Sequence, residues 1–201
     1  MRSLFLLLLF LTFIAGCGSK NNGSLLPLEN PEIEVKMETE VPEKTLKEKG
    51  ALEILQQNVP QISKQYMGIG YKYGSNPDTS SLSDCSNLIC AITRNSVKNS
   101  GYLFLPYYFP TAEIYNNSEA LNRSELKIGD IVFFTWDGGK QKHAGIVIES
   151  TATEVIFIHA SSSKGVIKTS TLDSAWKYYW QERFNSFRRW NETVFSRTEN
   201  Q

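Results

Sequence analysis

The chain has 201 residues, 41% of them apolar, enough for one well-cored domain with appendages. Its 21 Lys and Arg balance 21 Asp and Glu, so no basic field exists to hold a phosphate backbone, and nucleic acid is not an expected partner. With three cysteines and two histidines, each can be weighed singly.

The chain opens on Met1-Arg2 and an apolar run from Leu4 to Ile14, broken only by Thr12. A membrane-spanning helix needs about 20 apolar residues, so this run is too short and has the build of a secretory signal's apolar region. Ala15-Gly16-Cys17 follows directly and resembles the lipobox of bacterial lipoproteins, which are cut before the cysteine and lipidated on it. Residues 1–16 are therefore expected to be a signal peptide and Cys17 a lipid anchor, since several acyl chains hold a membrane where one does so only marginally. Gly18, in place of Asp, gives no inner-membrane retention signal, so the outer membrane, facing the periplasm, is the expected site. Through residue 50 the sequence is rich in Glu, Lys and Asn, with Pro27, Pro31 and Pro42 and no apolar period. It reads as a flexible tether with a reach of roughly 30 Å.

From residue 51 to about 195 the pattern is globular, with a short tail at 196–201. Leu52, Leu55, Val59 and Ile62 recur at helical spacing, with Pro60 expected to bend or split that helix. Gly68 to Asp78 is a Gly- and Pro-punctuated loop. Ser83 or Asp84 can cap a helix expected to run to about Asn99. Residues 101–125 are aromatic and irregular, and strands are expected at 130–134, 144–148 and 155–158. Helices first and strands after make the fold class α+β.

With Cys17 assigned to lipid, Cys85 and Cys90 remain. On one helix, residues five apart point about 140° apart, so these two do not bridge. Cys85 lies centrally in a stripe with Leu88, Ile89 and Ile92, whereas Cys90 falls on the far side and reads as packing. Burial in a core would explain Cys85 too. Its place in the first helical turn, where free backbone N–H groups favour a thiolate, would instead make it a nucleophile, and position alone does not choose. The histidines add weight. His143 begins one strand and His159 ends the next. A hairpin turning around Ser150–Thr153 places them on one face, about 5 Å apart at Cβ. A helix carrying Cys85 across that face would complete a nucleophile, a base and a group that orients the base.

Residues 51 to 190 resemble the NlpC family of bacterial cell-wall cysteine peptidases. The matching blocks are GIGYKYGS, DCSNL, LKIGDIVFF, HAGIVIE, FIHASSSKGV and YWQERFNSFRR, in that order. The resemblance implies a papain-like domain with helices packed on a central antiparallel sheet. It implies that Cys85 is the nucleophile, His143 the base and His159 the third member. It further implies that Tyr71 helps polarise the attacked carbonyl, that Asp84 binds a free amino group of the substrate, and that Ser86 contacts substrate. The implied reaction is hydrolysis of an amide in peptidoglycan stem peptides, commonly the γ-D-glutamyl–diaminopimelate bond, through a thioester and without a cofactor. The protein is expected to work as a monomer. Asn87 and Ser75 stand where the family pattern has glycine, and segment 101–125 is bulkier than typical. Three other readings stay open: a zinc site built from the thiolate and two imidazoles, an amidase or acyltransferase using the same triad, and a non-catalytic module that binds peptidoglycan.

Overall fold

The computed structural model describes residues 49–198. The expected signal peptide, the lipidated Cys17 and nearly all of the tether lie outside those residues. Helix α1 (Ala51–Ile62) buries Leu55 and Val59 one turn apart. Pro60 sits in its last turn, where it removes a single bond, to the Gln56 carbonyl, and the helix does not split there. It runs to Ile62 and tightens into a 3₁₀ turn over Ser63–Tyr66. A short parallel pair follows, β1 (Gly70–Tyr71) with β2 (Leu82–Ser83).

Helix α2 (Cys85–Val97) starts at Asp84, whose carboxylate accepts the Asn87 N–H as an N-cap. It stops two residues short of the expected end, because Asn99 adopts left-handed backbone with φ 61°. The single apolar stripe expected for it is also incomplete. Residues from Ser86 to Thr93 are buried all round, Cys90 included, because α1 covers one side, the sheet another and the chain around Phe109 a third. The stretch expected to be irregular holds strand β3 (Tyr102–Phe104), helix α3 (Thr111–Asn116) and strand β4 (Ser118–Leu121).

The remaining strands are β5 (Ile131–Trp136), β6 (Gln141–Ser150), β7 (Val155–Ser161), β8 (Gly165–Ser170) and β9 (Phe184–Trp190), with β10 (Phe195–Arg197) pairing β3. The main sheet is antiparallel throughout, in the order β4-β9-β5-β6-β7-β8. One face, with Phe133, Ala144, Ile146, Ile158 and Ala160, packs on α1 and α2. The other, with Val132, Phe134, Val147 and Phe157, is covered by Trp176, Trp180 and Phe184. This is the α+β arrangement of helices on a central antiparallel sheet.

The β6–β7 register differs from the simple hairpin. Ile146 pairs with Ile158 and Val147 with Phe157, but Glu149 pairs with Ile156, because a bulge at Ile148 inserts one residue. The turn also lies later than expected, pairing Ser150 with Val155, which moves the register three positions; the bulge takes one back and leaves His159 opposite Gly145 rather than opposite His143. The net shift is two positions, so both imidazoles keep the same face.

Candidate active site

Four strand ends meet at one end of the sheet: the end of β5, the start of β6, the end of β7 and the start of β8. A cavity of about 690 Å³ opens there, and Tyr71, Asp84, Cys85, Ser86, His143 and His159 all line it. Every residue singled out in the sequence for the reaction thus reaches one space. They do not reach it in the way expected. The histidines stand on the aromatic face, His143 beside Phe134 and His159 beside Phe157, whereas α2 packs on the opposite face. Cys85 joins them because it occupies the first turn of α2, next to the β6 backbone, close enough for the amide of Ala144 to favour its thiolate.

The two imidazoles form a chain. His143 Nε2 and His159 Nδ1 share a hydrogen bond of 2.9 Å, and His159 Nε2 shares one of 3.1 Å with Thr169 Oγ1 on β8. His143 is 8% exposed and His159 fully buried. Trp180 stacks on the His143 ring, centroids 5.1 Å apart and planes 20° from parallel, and meets His159 edge-on. Trp180 ends a π-helical turn over Trp176–Trp180, the kind of irregular turn that recurs at functional sites. Burial behind this indole lowers the His143 pKa to about 4 and depresses that of His159 as well, where the neighbouring His143 adds to the effect. Both rings are neutral near pH 7.

The helix start was expected to lower the Cys85 pKa. Burial outweighs it, and the thiol is raised; the Thr111 hydroxyl and the amides of Ala144 and Ser86 offset part of that rise, while the charge of Asp84 adds to it. Thr111 Oγ1 lies 3.8 Å from Cys85 Sγ. Burial likewise raises the Tyr71 phenol, with Cys85 and Asp84 as further causes, so it stays a proton donor.

Asp84, 2% exposed, accepts four hydrogen bonds: from Gly74 N–H at 2.7 Å, Asn87 N–H at 2.8 Å, Ser86 Oγ at 3.0 Å and Asn87 Nδ2 at 3.1 Å. Three of these fall on Oδ1 and one, from Gly74, on Oδ2, so Oδ2 keeps an acceptor position. Asp84 thus fastens the loop through Gly74 to the start of α2 while still lining the cavity. Asn87, the departure from glycine, supplies two of the four. Ser86, its proton committed to Asp84, lies 3.3 Å from the Tyr108 hydroxyl.

The sequence reading did not single out Thr111, Tyr108, Trp180 or Thr169. The first two sit in the segment taken as irregular. Thr169 lies on a strand that was not anticipated. Among the described residues no group of three or more His, Cys, Asp or Glu side chains is arranged to hold a metal ion. His143 Nε2 and His159 Nδ1 are also spent on each other.

Comparison with known proteins agrees with this layout. Residues 68–189 match the model of the NlpC/P60 family. The chain is 32% identical over 132 residues to the murein DD-endopeptidase MepS/murein LD-carboxypeptidase of Escherichia coli K12, covering 64% of this chain and 61% of that protein. It is 35% identical over 127 residues to the probable endopeptidase NlpC of the same organism, covering 63% of this chain and 72% of that one. A solved NLP/P60-family structure from Staphylococcus aureus superimposes with a TM-score of 0.51 at 22% identity, over 72% of this chain and 44% of that one, a likeness of fold.

Proposed function

Because the chain belongs to the NlpC/P60 family, we propose that it is a cysteine peptidase of bacterial cell-wall peptidoglycan, hydrolysing amide bonds of stem peptides through a thioester. The observation that carries the reading is the shared cavity, in which Cys85 faces the chain His143–His159–Thr169. The relatives named as murein and NlpC endopeptidases support the substrate class.

One direction of the hydrogen-bond chain suits a base. If His143 donates from Nε2 to His159 Nδ1, then His159 donates from Nε2 to Thr169, and His143 Nδ1 keeps its lone pair. With the imidazole neutral and the thiol raised by burial, the resting pair is uncharged. The Cys85 proton then passes to His143 Nδ1 as the sulfur attacks the carbonyl, and Tyr71 donates toward the oxygen that gains charge. The C–N bond breaks as His143 returns that proton to the leaving amine. His143 next deprotonates a water, which cleaves the thioester.

Within stem peptides, the γ-D-glutamyl–diaminopimelate bond is the one the family resemblance implies. A second reading is favoured by the relative named a DD-endopeptidase. In that reading the bond cut is the cross-link between two stem peptides. Lipid on Cys17, a tether to residue 50, an outer-membrane site facing the periplasm and action as a monomer complete the proposal; the tether would bring the cavity to a mesh beside the membrane.

Digestion of purified sacculi by a fragment of residues 46–201 tests it. New amino termini in the muropeptides are expected, and none with Cys85→Ser. Conversion of cross-linked dimers to monomers would mark the cross-link as the target, whereas γ-cleavage leaves the cross-links whole. No new amino terminus of any kind, or equal release by Cys85→Ser, would retire the peptidase reading.

A further inference from the structure

The segment around α3 enters the cavity at one point that the triad does not explain. Thr111 lines the cavity, and its hydroxyl is placed 3.8 Å from the Cys85 sulfur. The placement is built rather than incidental. The chain leading to Thr111 is fastened to α2 at successive turns: Arg94 Nη1 donates to the Tyr107 carbonyl at 2.8 Å, and Phe109 N–H donates to Cys90 Sγ at 3.4 Å. Cys90 also donates to the Phe109 carbonyl at 3.8 Å. Pro110 then caps α3 with φ −63°, and Thr111 is its first residue. Cys85 and Thr111 are therefore both referenced to the same helix, so their separation is set by α2. Cys90, read from the sequence as packing, is one of the clasps.

We propose that Thr111 is a catalytic residue, its hydroxyl donating a hydrogen bond to the Cys85 sulfur as that sulfur loses its proton to His143. This deepens the reading of Cys85 as nucleophile and rests on it. The Thr111 O–H bond stays intact throughout. The thiol proton moves to His143 Nδ1, the C–S bond forms, and the electron pair of the C=O moves to oxygen. Beside the backbone amides of Ser86 and Ala144, which also favour the charged form, the hydroxyl lowers the cost of taking the proton from a thiol that desolvation raises. A threonine suits the task because its branched Cβ restricts χ1 and holds the hydroxyl in place.

The test is the pH dependence of alkylation of Cys85 by iodoacetamide in the full chain, located by peptide mass mapping, which reads the thiolate without any peptidoglycan. Asp84, Tyr71, Tyr108, His143, His159 and Cys90 are the titratable groups around the sulfur, with Lys142 and Lys164 at the cavity rim. All are unchanged between the variants compared, so a difference reports Thr111 alone. Thr111→Val should move the alkylation midpoint upward by about one pH unit and slow the reaction about 10-fold at pH 7, as expected for one hydrogen bond to a charged group. Thr111→Ser should restore the wild-type profile. On peptidoglycan, Thr111→Val should lower kcat and leave KM unchanged. Should Thr111→Val melt early, Thr111→Ala is compared with Thr111→Ser in its place. A folded hydroxyl-free variant with the wild-type alkylation profile would overturn the proposal, as would Thr111→Ser shifted equally with it. Loss of peptidoglycan digestion by the unaltered chain, with the alkylation shift intact, would count against the peptidase reading and leave the Thr111–Cys85 interaction standing.

Discussion

Each member of the catalytic chain stands at a different distance from the bond to be broken, and the consequences of removing it should grade accordingly. Cys85→Ala should abolish sacculus digestion, and His143→Gln should reduce kcat by about 10³-fold or more, since proton transfer then has no acceptor. His159→Ala should cost about 10²-fold by leaving His143 free to rotate and to change tautomer. Thr169→Val removes one neutral hydrogen bond to the buried ring, so a loss of about 5-fold is expected, mostly in kcat. Circular dichroism of each variant separates these losses from unfolding. Equal losses in all of them would mean the chain acts only as packing. At this scale the sequence was legible: Cys85, His143, His159, Tyr71, Asp84 and Ser86 all line one cavity. What it hid was occupancy. Nothing in the order of residues shows that Asp84 already accepts four hydrogen bonds, or that desolvation of the half-buried Cys85 thiol outweighs the helix start.

Between elements, the decisive contact is the crossing of β6 and β7. Two strong apolar runs with histidines at their ends announce the hairpin, but its turn falls later than Ser150–Thr153, and the bulge at Ile148, a backbone event with no residue signature, takes back one position, so the expected register was two positions off. The same-face outcome survived because the side-chain period is two. Gly145 is the cost of this register. A Cβ there would lie 2.8 Å from Phe157 Cδ2, 2.9 Å from the Ile158 carbonyl and 3.2 Å from His159 Cβ. The backbone oxygen cannot yield as a flexible side chain would. Gly145→Ala should therefore destabilise the domain by about 2 kcal/mol. It should also push His159 off Thr169, so activity measured well below the melting temperature should fall further than the lost stability explains. A variant with a lowered melting temperature and full activity would show that His159 does not depend on this spacing. The segment 101–125 was misread for a related reason. Its three short elements are held by contacts distant in sequence, β3 by β10 and β4 by β9, and carry little periodicity of their own.

Across the whole molecule, the two-faced sheet decides how the domain responds to acid. Helices cover one face and the aromatic segment 176–184 the other, which buries both imidazoles beside the cavity that they line. The helical face could be read from apolar spacing and the aromatic cover from its density of Trp, Tyr and Phe, but not the shape of that cover, because its π-helical turn follows no standard period. The consequence is measurable. His143 titrates at about 4 in the folded state and His159 is depressed too, against about 6.5 for histidine in an unfolded chain. Below pH 6.5 the unfolded chain thus binds protons that the folded one refuses, and stability must fall as pH drops. It is fully present above pH 6.5 and is lost toward pH 4, by up to about 1.4 kcal/mol per pH unit for each ring. The window is clean because the chain has two histidines and no more. Asp78, held low by Arg94, Tyr66 and Asn95 against the opposing effect of burial, acts only below the ordinary carboxylate range. Asp130, raised by burial, acts with opposite sign at the lower edge of the window. Denaturant unfolding of the wild type should therefore weaken steadily from pH 6.5 to 4.5. The double variant His143→Gln/His159→Gln should start lower, from lost packing, and stay flat across the same interval. Parallel slopes for the two proteins would mean that water reaches the imidazoles in the folded state, and that the Trp180 side of the sheet is not the barrier it is taken to be.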